Sequence, residues 1–172
     1  MESRRQLASK TGLYTLDVFI VLLNYEIARM NRYPGPLTLL QITLAMEGQA
    51  ADIRKLAKEV MTRQLASTLR ISDVPAHYND DFLVLLPATD ENGGRAVAER
   101  ILSNFRTTQS LATGRLKKKN AYVGVTSRNS GSTVTVEELM AEAAVAMNEG
   151  RARDSYTCVV FSELDIGLPK RE

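Results

Sequence analysis

Two adjacent aspartates are the side chains in this sequence best suited to hold a divalent cation. Asp80 and Asp81 follow Asn79 and precede an apolar run that begins at Phe82. Carboxylate oxygens are preferred ligands of Mg²⁺, so residual metal binding at this pair is one interpretation. The other is structural, because asparagine and aspartate are favoured in the tight turn of a β-hairpin. We favour the turn and predict no metal site.

The remaining reactive side chains are too few to form a site of their own. Cys158 is the single cysteine and His77 the single histidine of 172 residues, which argues against a disulfide framework and against cysteine- or histidine-based metal chemistry. Cys158 lies in an apolar run and is predicted to be a buried strand thiol, and His77 to be isolated and partly exposed. Gly93 and Gly94 lack the following GK[ST] pattern of a phosphate-binding loop. We therefore expect no cofactor.

Composition excludes several classes of partner. Lys and Arg number 22 against 20 Asp and Glu, for a net charge of +2, which favours neither nucleic acid nor a membrane surface. The longest apolar run, residues 18–23, is far below the roughly 20 residues of a membrane span. Residues 1–10 are polar and basic without the apolar core of a secretory signal. We expect a cytoplasmic protein with no membrane insertion, and we interpret the lysines at 117–119 as a solvated loop.

Hydrophobic periodicity predicts the elements that position these side chains. Apolar residues recur at three- and four-residue spacing in four segments, which predicts helices over 16–32, 50–69, 91–106 and 136–149. Short apolar runs predict strands over 37–44, 71–76, 82–86, 121–126 and 156–161. Pro75 assigns the second strand to a sheet edge or a bulge, and the polar residues 77–81 predict a β-hairpin.

Helices that alternate with strands, together with one hairpin, indicate an α/β fold. We predict a mixed, mostly antiparallel central sheet of about five strands flanked by helices. A chain of 172 residues that is 44% hydrophobic suits one globular domain. We place this domain at residues 11–162, with 1–10 and 163–172 as loose termini.

Several short motifs resemble those of GGDEF domains, the diguanylate cyclase family, and occur in the family's order. Residues 11–14, TGLY, followed by Phe19, resemble the TGLxNRxxF opening, and Arg70-Ile71-Ser72-Asp73 matches the RxxD motif of the inhibitory site. Five further segments resemble the family: the ExxRAxR helix end at 26–32, the strand after the signature hairpin at 82–87, AERI at 98–101, the SIGVA strand at 122–125 and the GRNR turn at 150–153. The resemblance covers about residues 11–162 and implies a nucleotidyl-cyclase-like fold in bacterial signalling.

The departures from the family pattern imply that catalysis is lost. Family cyclases join two GTP molecules with divalent metal held by carboxylates, and they need glycines at the signature hairpin. Where the family has DxD, this sequence has Gln41-Ile42-Thr43. The neutral amide of Gln41 therefore stands where the family has a carboxylate. The signature is reduced to Asn79, Asp80, Asp81 and Phe82, so that Asn79 and Asp80 replace the two glycines. We predict a protein that is not an enzyme, with no catalytic residues.

The retained RxxD motif implies a ligand. In the family this site binds cyclic di-GMP, and Arg70, Asp73 and Arg100 stand at matching positions. Arginine can fork onto a phosphate or the guanine Hoogsteen edge, and aspartate can accept from guanine N–H groups. A solvated ion pair with an ordinary surface arginine is the structural alternative.

Two functions follow from these residues and motifs. The first is an inactive GGDEF-like regulatory domain that senses cyclic di-GMP through the RxxD site. The alternative is a protein-interaction or dimerisation module with no nucleotide ligand, which binds a protein partner or forms a homodimer.

Overall fold

In the part of the chain that the structure describes, four α-helices and five strands follow one another in the predicted order. The computed structural model describes residues 11–112, 120–129, 133–153 and 158–166. The elements are α1 (Leu16–Arg32), β1 (Leu37–Ala45), α2 (Ala51–Thr68), β2 (Val74–Tyr78), β3 (Asp81–Pro87), α3 (Glu91–Ala112), β4 (Asn120–Arg128), α4 (Val136–Ala152), β5 (Cys158–Val160) and a closing 3₁₀ turn (Phe161–Glu163).

The strands form one sheet in the order β2-β3-β1-β4-β5. The first three neighbouring pairs are antiparallel, and β4 and β5 are parallel. The predicted α/β fold with a mixed, mostly antiparallel sheet of five strands is therefore confirmed. β2 lies at an edge, as Pro75 indicated, because proline has no N–H to donate to a second neighbouring strand.

Side-chain alternation along the central strand β1 divides the core into two layers. Leu40 and Ile42 pack in the cluster that contains residues of α2 and α3, whereas Leu37 and Leu39 pack in the cluster that contains residues of α1 and α4. The same alternation assigns Gln41 to the α1 and α4 side of the sheet. The apolar periodicity of the sequence accounts for both layers.

Gly124 in β4 allows α4 to approach the sheet closely. A Cβ at this position would lie 2.0 Å from the carbonyl oxygen of Ala143 and 2.4 Å from the backbone nitrogen of Met147. Any larger residue would push the helix away from the sheet. The glycine of the YVGV segment is therefore required by helix packing.

Several predicted boundaries are wrong in detail. α3 continues beyond residue 106 to Ala112, and α4 continues through Ala152, so residues 150–152 are helical and not a turn. Residues 71–73 precede β2 and do not belong to it. Glu163 closes the 3₁₀ turn, and its carboxylate pairs with Arg95. Residues 1–10, 117–119 and 167–172 lie outside the described residues.

Candidate functional site

The signature segment forms a two-residue hairpin turn. Tyr78 pairs with Asp81 as the last rung between β2 and β3, which leaves Asn79 and Asp80 as the turn. Asn79 has φ of +52°, a left-handed conformation that asparagine adopts more readily than most residues. The predicted polar hairpin is confirmed, but Asp81 begins β3 and is not part of the turn.

Gln41 of β1 contacts the first residue of β3. Its side-chain Nε2 donates a hydrogen bond to Oδ2 of Asp81 at 3.0 Å. Gln41 is buried, and its Oε1 has no hydrogen-bond partner within the described ranges. The opposite amide orientation would turn this oxygen toward the carboxylate, so the chemistry of the pair fixes the orientation. The sequence suggested Gln41 as a replacement for a metal carboxylate but did not predict its partner.

The neighbouring aspartate, Asp80, contacts a residue of α2. Lys58 donates a hydrogen bond from Nζ to Oδ1 of Asp80, and the two form an ion pair. The hydrogen bond from Lys58 lowers the pKa of the Asp80 carboxyl below its ordinary value, and the positive charge of Lys58 lowers it further. The two aspartates therefore have separate partners, a lysine for Asp80 and an amide for Asp81.

These contacts border a cleft of about 640 Å³ between the end of β1, the start of α2 and the hairpin. Four cationic side chains line it: Arg54, Lys55, Lys58 and Arg151. Three carboxylates face them, and Arg151 forms an ion pair with Glu47. Over the described ranges, no group of three or more His, Cys, Asp or Glu residues could hold a metal ion. Two ion pairs, Lys58–Asp80 and Arg151–Glu47, thus border the cleft, and Arg54 and Lys55 add two further positive charges.

The RxxD motif forms a tight turn between α2 and β2. The backbone N–H of Arg70 donates to Oδ2 of Asp73 at 2.8 Å, and the backbone N–H of Asp73 donates to the Arg70 carbonyl at 3.0 Å. Ile71 lies between them with 67% of its surface exposed. The Asp73 side chain therefore closes the turn through the backbone of Arg70.

Arg100 of α3 lies within electrostatic range of this turn. Burial raises the pKa of the Asp73 carboxyl above its ordinary value, while the Arg70 N–H hydrogen bond and the charges of Arg70 and Arg100 act in the opposite direction. Asp73 is buried, whereas both arginines are exposed. The fold thus brings together the three residues that the sequence proposed as a binding site.

The single histidine and the single cysteine have structural positions. His77 lies within hydrogen-bond distance of the Thr11 hydroxyl at 3.3 Å, and its ring centroid is 5.7 Å from that of Phe82. It is therefore only partly exposed, as expected, but the prediction that it is isolated is wrong. Cys158 is buried in β5, as predicted, and burial raises the pKa of its thiol.

The cations of the cleft were missed by reasoning from the sequence. Arg54 and Lys58 are four residues apart in α2, which places them on one side of that helix. This spacing could have predicted that the two cations lie close together. Nothing in the sequence indicated that Arg151, near the end of α4, would line the same cleft.

Comparison with known proteins identifies the family. Residues 58–155, more than half of the chain, match the family described as diguanylate cyclase, GGDEF domain. The chain belongs to the GGDEF family. No curated protein matches it. The GGDEF match includes the RxxD turn, the signature hairpin and all of α4.

Solved structures of GGDEF proteins have the same fold. The GGDEF domain of DgcB from Caulobacter crescentus, in complex with c-di-GMP, is 11% identical with a TM-score of 0.78, and the match covers 91% of this chain and 96% of that one. The GGDEF domain of TpbB, or YfiN, from Pseudomonas aeruginosa is 21% identical with a TM-score of 0.70, and the match covers 88% and 92%.

The diguanylate cyclase SiaD from Pseudomonas aeruginosa, in complex with its activator SiaC, is a longer relative. It is 20% identical with a TM-score of 0.73, and the match covers 92% of this chain but 63% of that one. The present chain therefore spans less than two thirds of SiaD. Among the helices described here, none is both long and apolar enough to cross a membrane.

Proposed function

We propose that this chain is a non-catalytic GGDEF domain that regulates bacterial signalling by binding cyclic di-GMP at Arg70, Asp73 and Arg100. One observation carries the proposal. Two exposed guanidinium groups, one in the turn after α2 and one on α3, act on a single buried carboxylate. An anionic ligand with guanine N–H donors can satisfy all three groups.

The donor set beside the hairpin supports the loss of catalysis. A divalent cation in a cyclase needs converging carboxylate oxygens, but Gln41 presents an N–H donor to Asp81. The other aspartate, Asp80, is paired with Lys58 and 89% of its side chain is exposed. The residues present therefore do not fit a magnesium site.

The RxxD turn is preorganised for a guanine-containing ligand. The Asp73 carboxylate is already oriented by the Arg70 N–H, so binding need not order it, which reduces the entropic cost of association. Arginine can bind phosphate or the Hoogsteen edge of guanine through two parallel hydrogen bonds. The crystal structure of DgcB with c-di-GMP shows that the same fold accommodates this ligand in another protein.

Calorimetric titration of cyclic di-GMP tests the receptor function. We expect saturable binding that weakens by about tenfold or more in Arg70→Ala and Arg100→Ala, since each loses a charge-assisted hydrogen bond. Arg63→Ala is the matched control, because Arg63 is an exposed arginine on α2 whose ion pair is with Glu59. Absence of heat at high ligand concentration would overturn the proposed site. An equal loss of affinity in Arg63→Ala would overturn it as well.

A turnover assay tests the loss of catalysis separately. Incubation of the protein with GTP and Mg²⁺, followed by chromatography, should yield no cyclic di-GMP. Product formation would refute the non-catalytic assignment and leave the ligand-binding result unaffected.

A second candidate function is an interaction module without a nucleotide ligand. The exposed apolar residues Val21 and Tyr25 of α1 favour it. Failure of the cyclic di-GMP titration would leave this candidate as the leading account.

A further inference from the structure

The outer face of α1 carries a stripe of exposed residues with an unusual order of charges. Phe19, Leu23 and Met30 face the sheet and are buried. On the opposite side, five exposed residues follow one another at helical spacing: Asp17, Val21, Tyr25, Ala28 and Arg32. We call these five residues the outer stripe. It begins with an acid, ends with a base and is uncharged between them.

The middle of the outer stripe is more apolar than a solvent-facing helix requires. Val21 is 66% exposed and Tyr25 is 63% exposed, and no charged residue occurs between Asp17 and Glu26. The solvent face of a surface helix is normally charged or polar. Large apolar side chains grouped on such a face indicate a contact surface.

We propose that a second copy of this chain docks on the outer stripe, with the two α1 helices antiparallel about a twofold axis. In a twofold interface, residue i contacts residue j of the partner and residue j contacts residue i. With the twofold axis midway between residues 24 and 25, the antiparallel arrangement places Asp17 beside the partner's Arg32. It also places Val21 beside the partner's Ala28.

The charges select this orientation. A parallel pair would place like charges together at both ends of the stripe, whereas the antiparallel pair makes two attractive contacts. Within the described residues, neither Asp17 nor Arg32 has an ion-pair partner of its own. The Arg32 guanidinium lies 5.6 Å from the centroid of the Tyr33 ring, a position at the exposed end of the helix.

The size of the stripe predicts a reversible dimer. From Asp17 to Arg32 the helix rises about 22 Å at 1.5 Å per residue. A contact between two such stripes lies near or below the lower limit of specific interfaces, about 1,200 Å² in total. The dimer should therefore dissociate on dilution, and its formation requires no nucleotide.

Charge reversal distinguishes docking from a second explanation of the same residues. An acid at the start of a helix and a base at its end also interact favourably with the helix dipole within one chain. We expect Asp17→Arg alone and Arg32→Asp alone to weaken the wild-type dimer, because each makes two repulsive contacts. An equimolar mixture of the two variants should form a heterodimer, in which both contacts are attractive again. The dipole effect acts within one chain and predicts no such recovery.

Sedimentation velocity over a concentration series measures these species without added ligand. Tyr25→Glu should shift the wild-type equilibrium toward monomer, because it buries a charge at the centre of the stripe. Ile166→Glu is the matched control, since Ile166 is an exposed apolar residue, 43% accessible, that follows the 3₁₀ turn after the edge strand β5. Circular dichroism of each variant should match that of the wild type, which checks that the variant is folded.

Two results would overturn the proposal. One is a wild-type protein that remains monomeric at every concentration. The other is a mixture of the two charge-reversal variants that behaves as the sum of its components.

Discussion

The Gln41 side chain donates a hydrogen bond to Asp81 at 3.0 Å and thereby joins the central strand β1 to the first residue of β3. An amide and a carboxylate meet where resemblance to cyclases leads one to expect two carboxylates. The amide N–H satisfies one oxygen of Asp81 without a cation. The same contact leaves the buried Gln41 Oε1 without a hydrogen-bond partner among the residues that the structure describes.

Replacing this amide with a carboxylate should create a dependence on divalent cations. We expect Gln41→Asp to lower the free energy of unfolding by roughly 2–4 kcal/mol, because an unpaired charge would be buried beside Asp81. Added Mg²⁺ or Mn²⁺ should recover part of this loss by binding between the carboxylates. Thermal unfolding with and without the cation measures both effects.

Gln41→Met is the matched control for that experiment. It has a similar shape but offers no oxygen ligand, so its unfolding temperature should not respond to the cation. Equal responses of the two variants, or stabilisation of the wild type by the same amount, would contradict our interpretation of the pair.

Neutralising Asp73 should separate stability from ligand binding. The asparagine side chain introduced by Asp73→Asn can still accept the Arg70 N–H, so the turn is retained. Since burial raises the pKa of Asp73, the uncharged variant should be at least as stable as the wild type at pH 7. Cyclic di-GMP binding should nevertheless weaken, because the guanine N–H groups lose a charged acceptor. Urea unfolding and calorimetry measure the two properties.

The pH dependence of that comparison has a definite sign. The folded chain holds the Asp73 proton more tightly than the unfolded chain, whose carboxyl has the ordinary pKa of 3.8. The resulting stabilisation of the wild type is fully present below pH 3.8 and is lost as the pH rises through the folded pKa. As the pH rises from 3.8 through the folded pKa of Asp73, the wild type should therefore lose stability relative to Asp73→Asn. A constant difference would show that burial does not perturb the carboxyl.

Gly124→Ala should be strongly destabilising. The added methyl group would overlap the backbone of α4 at Ala143 and Met147, and backbone cannot relax as a flexible side chain can. We expect a loss of about 3 kcal/mol, from overpacking and displacement of α4. Gly35→Ala is the control, because the nearest atom to its Cβ is 4.0 Å away, and it should change stability by about 0.5 kcal/mol or less. Chemical denaturation of both variants measures the difference.

The sequence determined the elements, their order and much of the fold. Apolar spacing specified the four helices because a helix buries one face every three or four residues, and short apolar runs specified the strands. Pro75 placed β2 at an edge, since proline cannot donate to a second neighbour. The spacing of Arg70, Asp73 and Arg100 was also sufficient to propose a site, because the GGDEF motifs fix their order along the chain.

Tertiary structure decided which side chains meet. Gln41 and Asp81 are 40 residues apart, and their contact depends on the register between β1 and β3, which no local pattern specifies. The same register and the packing of α2 bring Lys58 to Asp80. The burial of Asp73 beside Arg100 and the exposure of the α1 outer stripe also depend on how the helices pack against the sheet. Local sequence preferences determine the helices and strands, whereas long-range packing determines which of their polar side chains come into contact.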